Sequence, residues 1–189
     1  RNTLMQLDRK MLGECRRLFT NAKNTAARLK KFNGITADPL YHPPRLASQL
    51  RSGEYGNYVL SVGRLESVKR VELAVQAMQH VDKSIRLLVV GDGTYRQKIQ
   101  QMAEQSGIEQ RIEFLGQVSD QDLIDLYSKA LAVVYVPYDE DYGYVTLEAF
   151  LAHRPVITAE DSGGPLEFVK HDVNGAVCQP EAESIASEI

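Results

Sequence analysis

What most constrains the fold of this chain is a repeated change of hydrophobic period. Short apolar, β-branched runs alternate with stretches whose apolar residues return at helical spacing. NYVLSVG at 57–63, IRLLVVG at 85–91, RIEFLG at 111–116, LAVVYVP at 131–137 and PVITA at 155–159 read as strands. Between them, 67–80, 94–106, 119–130 and 144–153 read as helices. In the third of these, Leu123, Ile124 and Tyr127 share a face, and Asp120 stands near the first turn, where a negative charge suits the helix dipole. Strand and helix in strict alternation mean parallel strands joined by right-handed crossovers, and near-continuous apolar strands are those buried on both faces. The expected fold class is therefore α/β, a doubly wound parallel sheet.

Composition sets the outer limits. With 189 residues, 43% of them hydrophobic, the chain can bury a sizeable core. No run approaches the roughly 20 apolar residues of a membrane span, and the start lacks the order of a signal peptide, so a cytoplasmic location is the expected default. Cys15 and Cys178 lie far apart without metal-ligand spacing, and His42, His80, His153 and His171 show none either. A net charge of −3 argues against a nucleic-acid partner. The charge is uneven, however: residues 1–31 carry nine Lys or Arg against Asp8 and Glu14. Such a basic front fits an anionic partner, such as a lipid surface met peripherally, although solvated positions on two helices are the plainer reading.

Doubly wound sheets bind ligands at the carboxyl ends of their strands, and there the unusual residues gather. GRLESVKR, GDGTYR, GQVSD, PYDEDYG and EDSGGPLE follow the five strands in turn. Gly143 precedes a helix whose first turn, Tyr144 and Val145 included, offers backbone N–H groups to an anion. Glu140 lies on the loop before it and Glu148 about five residues into it, roughly 7 Å along the axis. Carboxylate, helix N-terminus, carboxylate is an order that matches a nucleotide sugar laid out as sugar hydroxyls, diphosphate and ribose hydroxyls. Arg64 and Lys69 supply the cations that a diphosphate between two acids needs. Each has a plainer reading: Arg64 and Lys69 as surface charges paired with Glu66 or Glu72, and Glu148 as an acid on a helix surface. Asp139-Glu140-Asp141 also imitates a D-x-D metal motif, although the glycine and helix that follow favour a metal-free site.

Taken in order, VGRLESVKRVELAVQAM, VVGDGTYR, FLGQVSDQDLIDLYSKA, EDYGYVTLEAF and SGGPLEFV resemble the nucleotide-binding C-terminal domain of retaining GT-B glycosyltransferases of the large family four, over about residues 56–180. The resemblance implies a Rossmann-like fold, one half of a two-domain enzyme. It implies that Glu140 and Glu148 are the family's E-x7-E pair, the first facing the donor sugar and the second the ribose. It sets the diphosphate-binding cations on Arg64 and Lys69, and the glycine-rich loops on Gly63 and on Gly91, Asp92 and Gly93. The base falls near Gln117 and Val118, and the sugar near the backbone of Tyr142, Gly143 and Tyr144. Tyr142 stands where phenylalanine is common, and Glu167 either touches the donor or occupies a first helical turn.

Residues 1–50 are similar to the end of the family's N-terminal acceptor domain and its linker, leaving 51–189 as the donor-nucleotide domain. The family's glycine-rich loop over the donor and its histidine near the reacting sugar have no counterpart in 1–50, and its closing helices are expected beyond residue 189. The chain thus reads as a fragment that holds a donor without completing catalysis. What the resemblance implies is a hexosyltransferase that needs no cofactor and no metal. It uses GDP-mannose or a UDP-hexose with a polysaccharide or lipid-linked acceptor. A sugar-nucleotide sensor and an epimerase of the same fold remain alternatives.

Overall fold

The computed structural model describes residues 2–189. Two compact units divide the chain, one ending at His42 and the other running from Pro43 to Ile189. In the first, α1 (Asn2–Glu14) and α2 (Lys23–Asn33) accompany two short parallel strands, β1 (Phe19–Thr20) and β2 (Asp38–Pro39). The amide of Asp38 donates to Leu18 O at 3.0 Å and that of Leu40 to Thr20 O at 2.7 Å, so the pairing is real but brief. Segment 43–50, grouped with residues 1–42 by the resemblance, lies in the second unit. There Leu46 is 2% exposed, and Arg45 makes a forked pair with Asp120 at 2.5 and 2.6 Å.

In the second unit the alternation produces β3 (Tyr58–Val62), α3 (Val71–Ala77), β4 (Arg86–Val90), α4 (Arg96–Gln105), β5 (Ile112–Gly116), α5 (Asp120–Lys129), β6 (Val133–Val134), α6 (Tyr144–Leu151), β7 (Val156–Ala159), β8 (Gly175–Cys178) and α7 (Ala182–Ser187). The six strands are all parallel, in the order β5-β4-β3-β6-β7-β8. Side chains alternate along each strand between two cores. Val59, Leu87, Val89 and Ile157 meet Val75, Met78, Ile99 and Ile185 on one face, whereas Leu60, Leu88, Val133 and Val156 meet Tyr127, Ala149 and Ala152 on the other. The expected doubly wound α/β sheet is thus present, and Ser119 caps α5 by accepting from the Asp122 amide.

Two local expectations change, and one further strand is present. The helix expected over 67–80 is a 3₁₀ turn, Ser67–Lys69, followed by α3, because Arg70 between them adopts a left-handed conformation at φ 49°. The strand expected over 131–137 pairs as β6 only at its centre. Its ladder bonds run from Leu131 N–H to Tyr135 N–H, after which the carbonyls of Val136 and Pro137 turn to the Arg70 guanidinium. The sixth strand, β8, escapes sequence reading because GAVC is four residues long and its hydrogen bonds to β7 leave no periodic trace. Arg154, buried between elements, donates to the carbonyls of Gly53 and Ser128 and stacks on Tyr55, fixing the approach to β3.

Candidate functional site

Strand order reverses between β3 and β6, so a crevice opens above their carboxyl ends, the usual ligand position in open α/β sheets. One wall is a cleft of about 310 Å³ lined by Gly63, Arg64, Gly91, Asp92, Gln117 and Val118, together with Val62, Val90 and Leu123. Six residues singled out from sequence therefore share one surface. The loops that carry them are stitched together: Gly63 N–H donates to Val90 O, Leu65 N–H to Asp92 O, and Gly91 N–H to Gly116 O. Gly91 has φ 118°, and a Cβ there would stand 1.9 Å from Gly63 O, so only glycine permits this approach. Gly93 is not among the residues that line this cleft, and the Asp92 carboxylate accepts from its amide at 2.8 Å.

The segment that lines the cleft at Gly63 and Arg64 ends at Lys69, which forms an ion pair with Glu140. Lys69 therefore has a partner 71 residues away, not Glu66 or Glu72. Glu66 instead accepts from Thr94 Oγ1 at 2.8 Å, which holds its carboxyl below the ordinary value. Arg64 is exposed and has no ion pair among the described residues. Glu140 also accepts from Tyr135 Oη at 2.9 Å, and its loop is pinned to Asp161 and Ser162 by backbone bonds from Asp139 and Glu140. Arg70 completes the frame through a forked pair with Asp161, at 2.5 and 2.9 Å.

The N-terminus of α6 is set by Gly143, left-handed at φ 81°, where a Cβ would meet Pro165 at 2.9 Å. Tyr142 beside it is 4% exposed and packs edge-on against Tyr144 and Phe168. Val145 packs against the second core, and Thr146 is buried with its hydroxyl unpartnered. Glu148 is no surface acid. Burial pushes its carboxyl above the ordinary range, opposed by the hydrogen bond from Tyr127 Oη at 2.8 Å and by the charge of Arg45. Burial also raises both tyrosine hydroxyls, helped at Tyr127 by Glu148 and at Tyr135 by Glu140, so each remains a protonated donor to its carboxylate. Asp139 is left-handed and Asp141 exposed, and no group of three or more His, Cys, Asp or Glu able to hold a metal occurs among the described residues. Nor is any described helix long and apolar enough to cross a membrane.

Tyr127, Tyr135 and Arg70 are the site residues that sequence missed. Tyr127 and Tyr135 read simply as apolar helix and strand positions, and Arg70 as one helical cation among several.

Fold and crevice together define a Rossmann-like α/β domain of the GT-B kind. Residues 44–189 match the family described as glycosyl transferases group 1, and the chain belongs to that family. It is 34% identical over 139 residues to the human alpha-1,3/1,6-mannosyltransferase ALG2, covering 65% of this chain and 33% of that protein. With the O-antigen chain mannosyltransferase RfbU of Salmonella typhimurium it shares 27% identity, covering 77% of this chain and 42% of that one. Its fold superimposes on Anabaena Alr3699/HepE, solved in complex with UDP and glucose, with a TM-score of 0.87 at 21% identity, covering 99% of this chain and 56% of that one. The chain thus spans between a third and about half of the length of these proteins.

Proposed function

We propose that this chain binds a nucleoside-diphosphate sugar for metal-independent, configuration-retaining transfer to a polysaccharide or lipid-linked acceptor. One observation carries the reading: the single segment 63–69 lines the glycine-walled cleft at one end and pairs with the first acid of the E-x7-E motif at the other. The base and ribose lie in the cleft near Gln117 and Val118, with Glu148 accepting from ribose hydroxyls. The diphosphate lies between Arg64, Lys69 and the first turn of α6, and Glu140 faces the sugar. When the bond from the anomeric carbon to phosphate breaks, negative charge collects on the departing diphosphate. Arg64, Lys69 and the helix N-terminus meet it there, as preorganised dipoles and cations do in charge-developing transition states.

The proposed donor is GDP-mannose. Two named relatives are mannosyltransferases, which supports mannose as the sugar. Anabaena HepE holds UDP and glucose, and a UDP-hexose is accordingly the alternative. The acceptor surface is assigned to an N-terminal domain. The basic helices of the first unit are suited to an anionic neighbour, a peripheral membrane surface included. Calorimetric titration with GDP, UDP and ADP, then with their sugars, tests the reading. GDP is expected to bind tightest, and UDP binding about tenfold tighter, a difference of about 1.4 kcal/mol, overturns the choice of donor.

A further inference from the structure

We propose that Lys69 is exchanged between two anions, Glu140 before the donor binds and the donor's diphosphate afterwards, and that Tyr135 is the positioning residue that keeps Glu140 in place through the exchange. The inference rests on the nucleotide-sugar reading above. Lys69 Nζ and Tyr135 Oη both donate to the same atom, Glu140 Oε2. The Lys69 and Glu140 side chains are 15% and 20% exposed, so their attraction is screened less than that of a surface pair. A diphosphate arriving between Arg64 and α6 brings a second anion to this one ammonium, and the two anions compete for it.

Which group moves is decided by the backbone. The Glu140 amide donates to Ser162 O at 3.0 Å, its carbonyl accepts from Gly164 N–H at 2.7 Å, and the preceding Tyr138 and Asp139 amides are bonded to Val68 O and Asp161 O. Tyr135 is 6% exposed, and its amide is tied to Ile157 O at 2.9 Å, so its hydroxyl is offered from a rigid position. Lys69 ends a three-residue 3₁₀ turn and carries its charge on a flexible four-carbon stem. The ammonium is the part that can swing at least cost. Its departure frees capacity on a carboxylate that Tyr135 still holds, at the point where sugar hydroxyls arrive.

The consequence is discrimination between donor and product. A bare nucleoside diphosphate has to draw Lys69 from Glu140 and gains no sugar contact in return, whereas the intact donor replaces the lost ion pair with hydroxyls on Glu140. Once the sugar has left, Glu140 recaptures Lys69 and loosens the product.

Calorimetric titration of the 189-residue chain with GDP and UDP tests this. Glu140→Gln removes the competing anion and is expected to bind the bare diphosphate about three- to tenfold tighter than wild type, the range of one partly screened ion pair. In a Lys69→Ala background the same change is expected to bring no gain. Tyr135→Phe keeps the ring. It is expected to hold bare-diphosphate affinity within about twofold and to lower the ratio of sugar-nucleotide to bare-nucleotide affinity about fivefold, as one lost hydrogen bond does. Thermal melts check folding, and Glu140→Ala replaces the amide variant if that one unfolds. Wild-type binding without a gain in Glu140→Gln, or a gain that persists in Lys69→Ala and so reflects simple charge repulsion, overturns the exchange alone. Binding of neither nucleotide by any of these proteins at millimolar concentration overturns the nucleotide-sugar reading and the exchange together.

Discussion

At Glu148 the proposed binding role and stability pull in opposite directions. Its carboxyl is raised chiefly by burial, so the folded protein holds that proton more tightly than the unfolded chain does. For a group raised in this sense, the stabilising contribution is complete below the unfolded value and is lost as pH rises through the folded one. At neutral pH the ionised side chain therefore costs stability, while as a carboxylate it is the stronger acceptor for the ribose hydroxyls proposed to meet it. Glu148→Gln keeps an oxygen for Tyr127 Oη and removes the buried charge. We expect it to raise Tm by about 2–4 °C at pH 7, the size of roughly 1 kcal/mol in a protein of this length. That gain should shrink as pH falls through the raised folded value and be gone below the ordinary value of 4.5, while nucleotide affinity at pH 7 decreases. Calorimetric scans at pH 4 and pH 7 test both parts, and an unchanged or lower Tm at pH 7 contradicts the assignment.

At the scale of elements, the loop between β6 and α6 matters most, because it carries Glu140 to the crevice without regular structure of its own. Arg70 holds it through three groups at once: Val136 O at 2.8 Å, Pro137 O at 2.8 Å and the forked Asp161 carboxylate. Lysine cannot reproduce this fan, since an ammonium is a point charge on a flexible stem and not a planar fork. Arg70→Lys should therefore destabilise the protein by about 2 kcal/mol, as expected when charged hydrogen bonds are lost from a half-buried site. It should also weaken sugar-nucleotide binding more than it weakens binding of the bare nucleotide, because Glu140 loses its frame. Melting curves with paired titrations measure both, and an equal loss for the two ligands counts against the framing role.

For the whole molecule, the proposed transfer needs an acceptor site as well as the proposed donor site, and turnover has to be measured in a protein that carries both. In such a protein Lys69→Ala should lower turnover on the order of a hundredfold, the typical cost of one lost charge contact in a transition state. Turnover should survive a chelator, and activity that vanishes in chelator but survives Lys69→Ala sinks the metal-independent reading. The alternation of short apolar, β-branched runs with stretches at helical spacing determined by itself that this chain forms a parallel, doubly wound sheet, because such a pattern records which faces are buried and needs no knowledge of partners. Glycine-rich turns after the strands were legible on the same ground, and so were the charged residues Arg64, Lys69, Glu140 and Glu148, since chain order alone assigns such loops to one edge. Only the tertiary structure decided that Lys69 meets Glu140, that Tyr127 and Tyr135 each hold one acid of the motif, and that Arg70 breaks a helix to grip a loop. The Lys69–Glu140 and Arg70–Asp161 contacts join residues 71 and 91 positions apart. Local periodicity carries no information at that separation, where packing of the whole sheet brings the partners together.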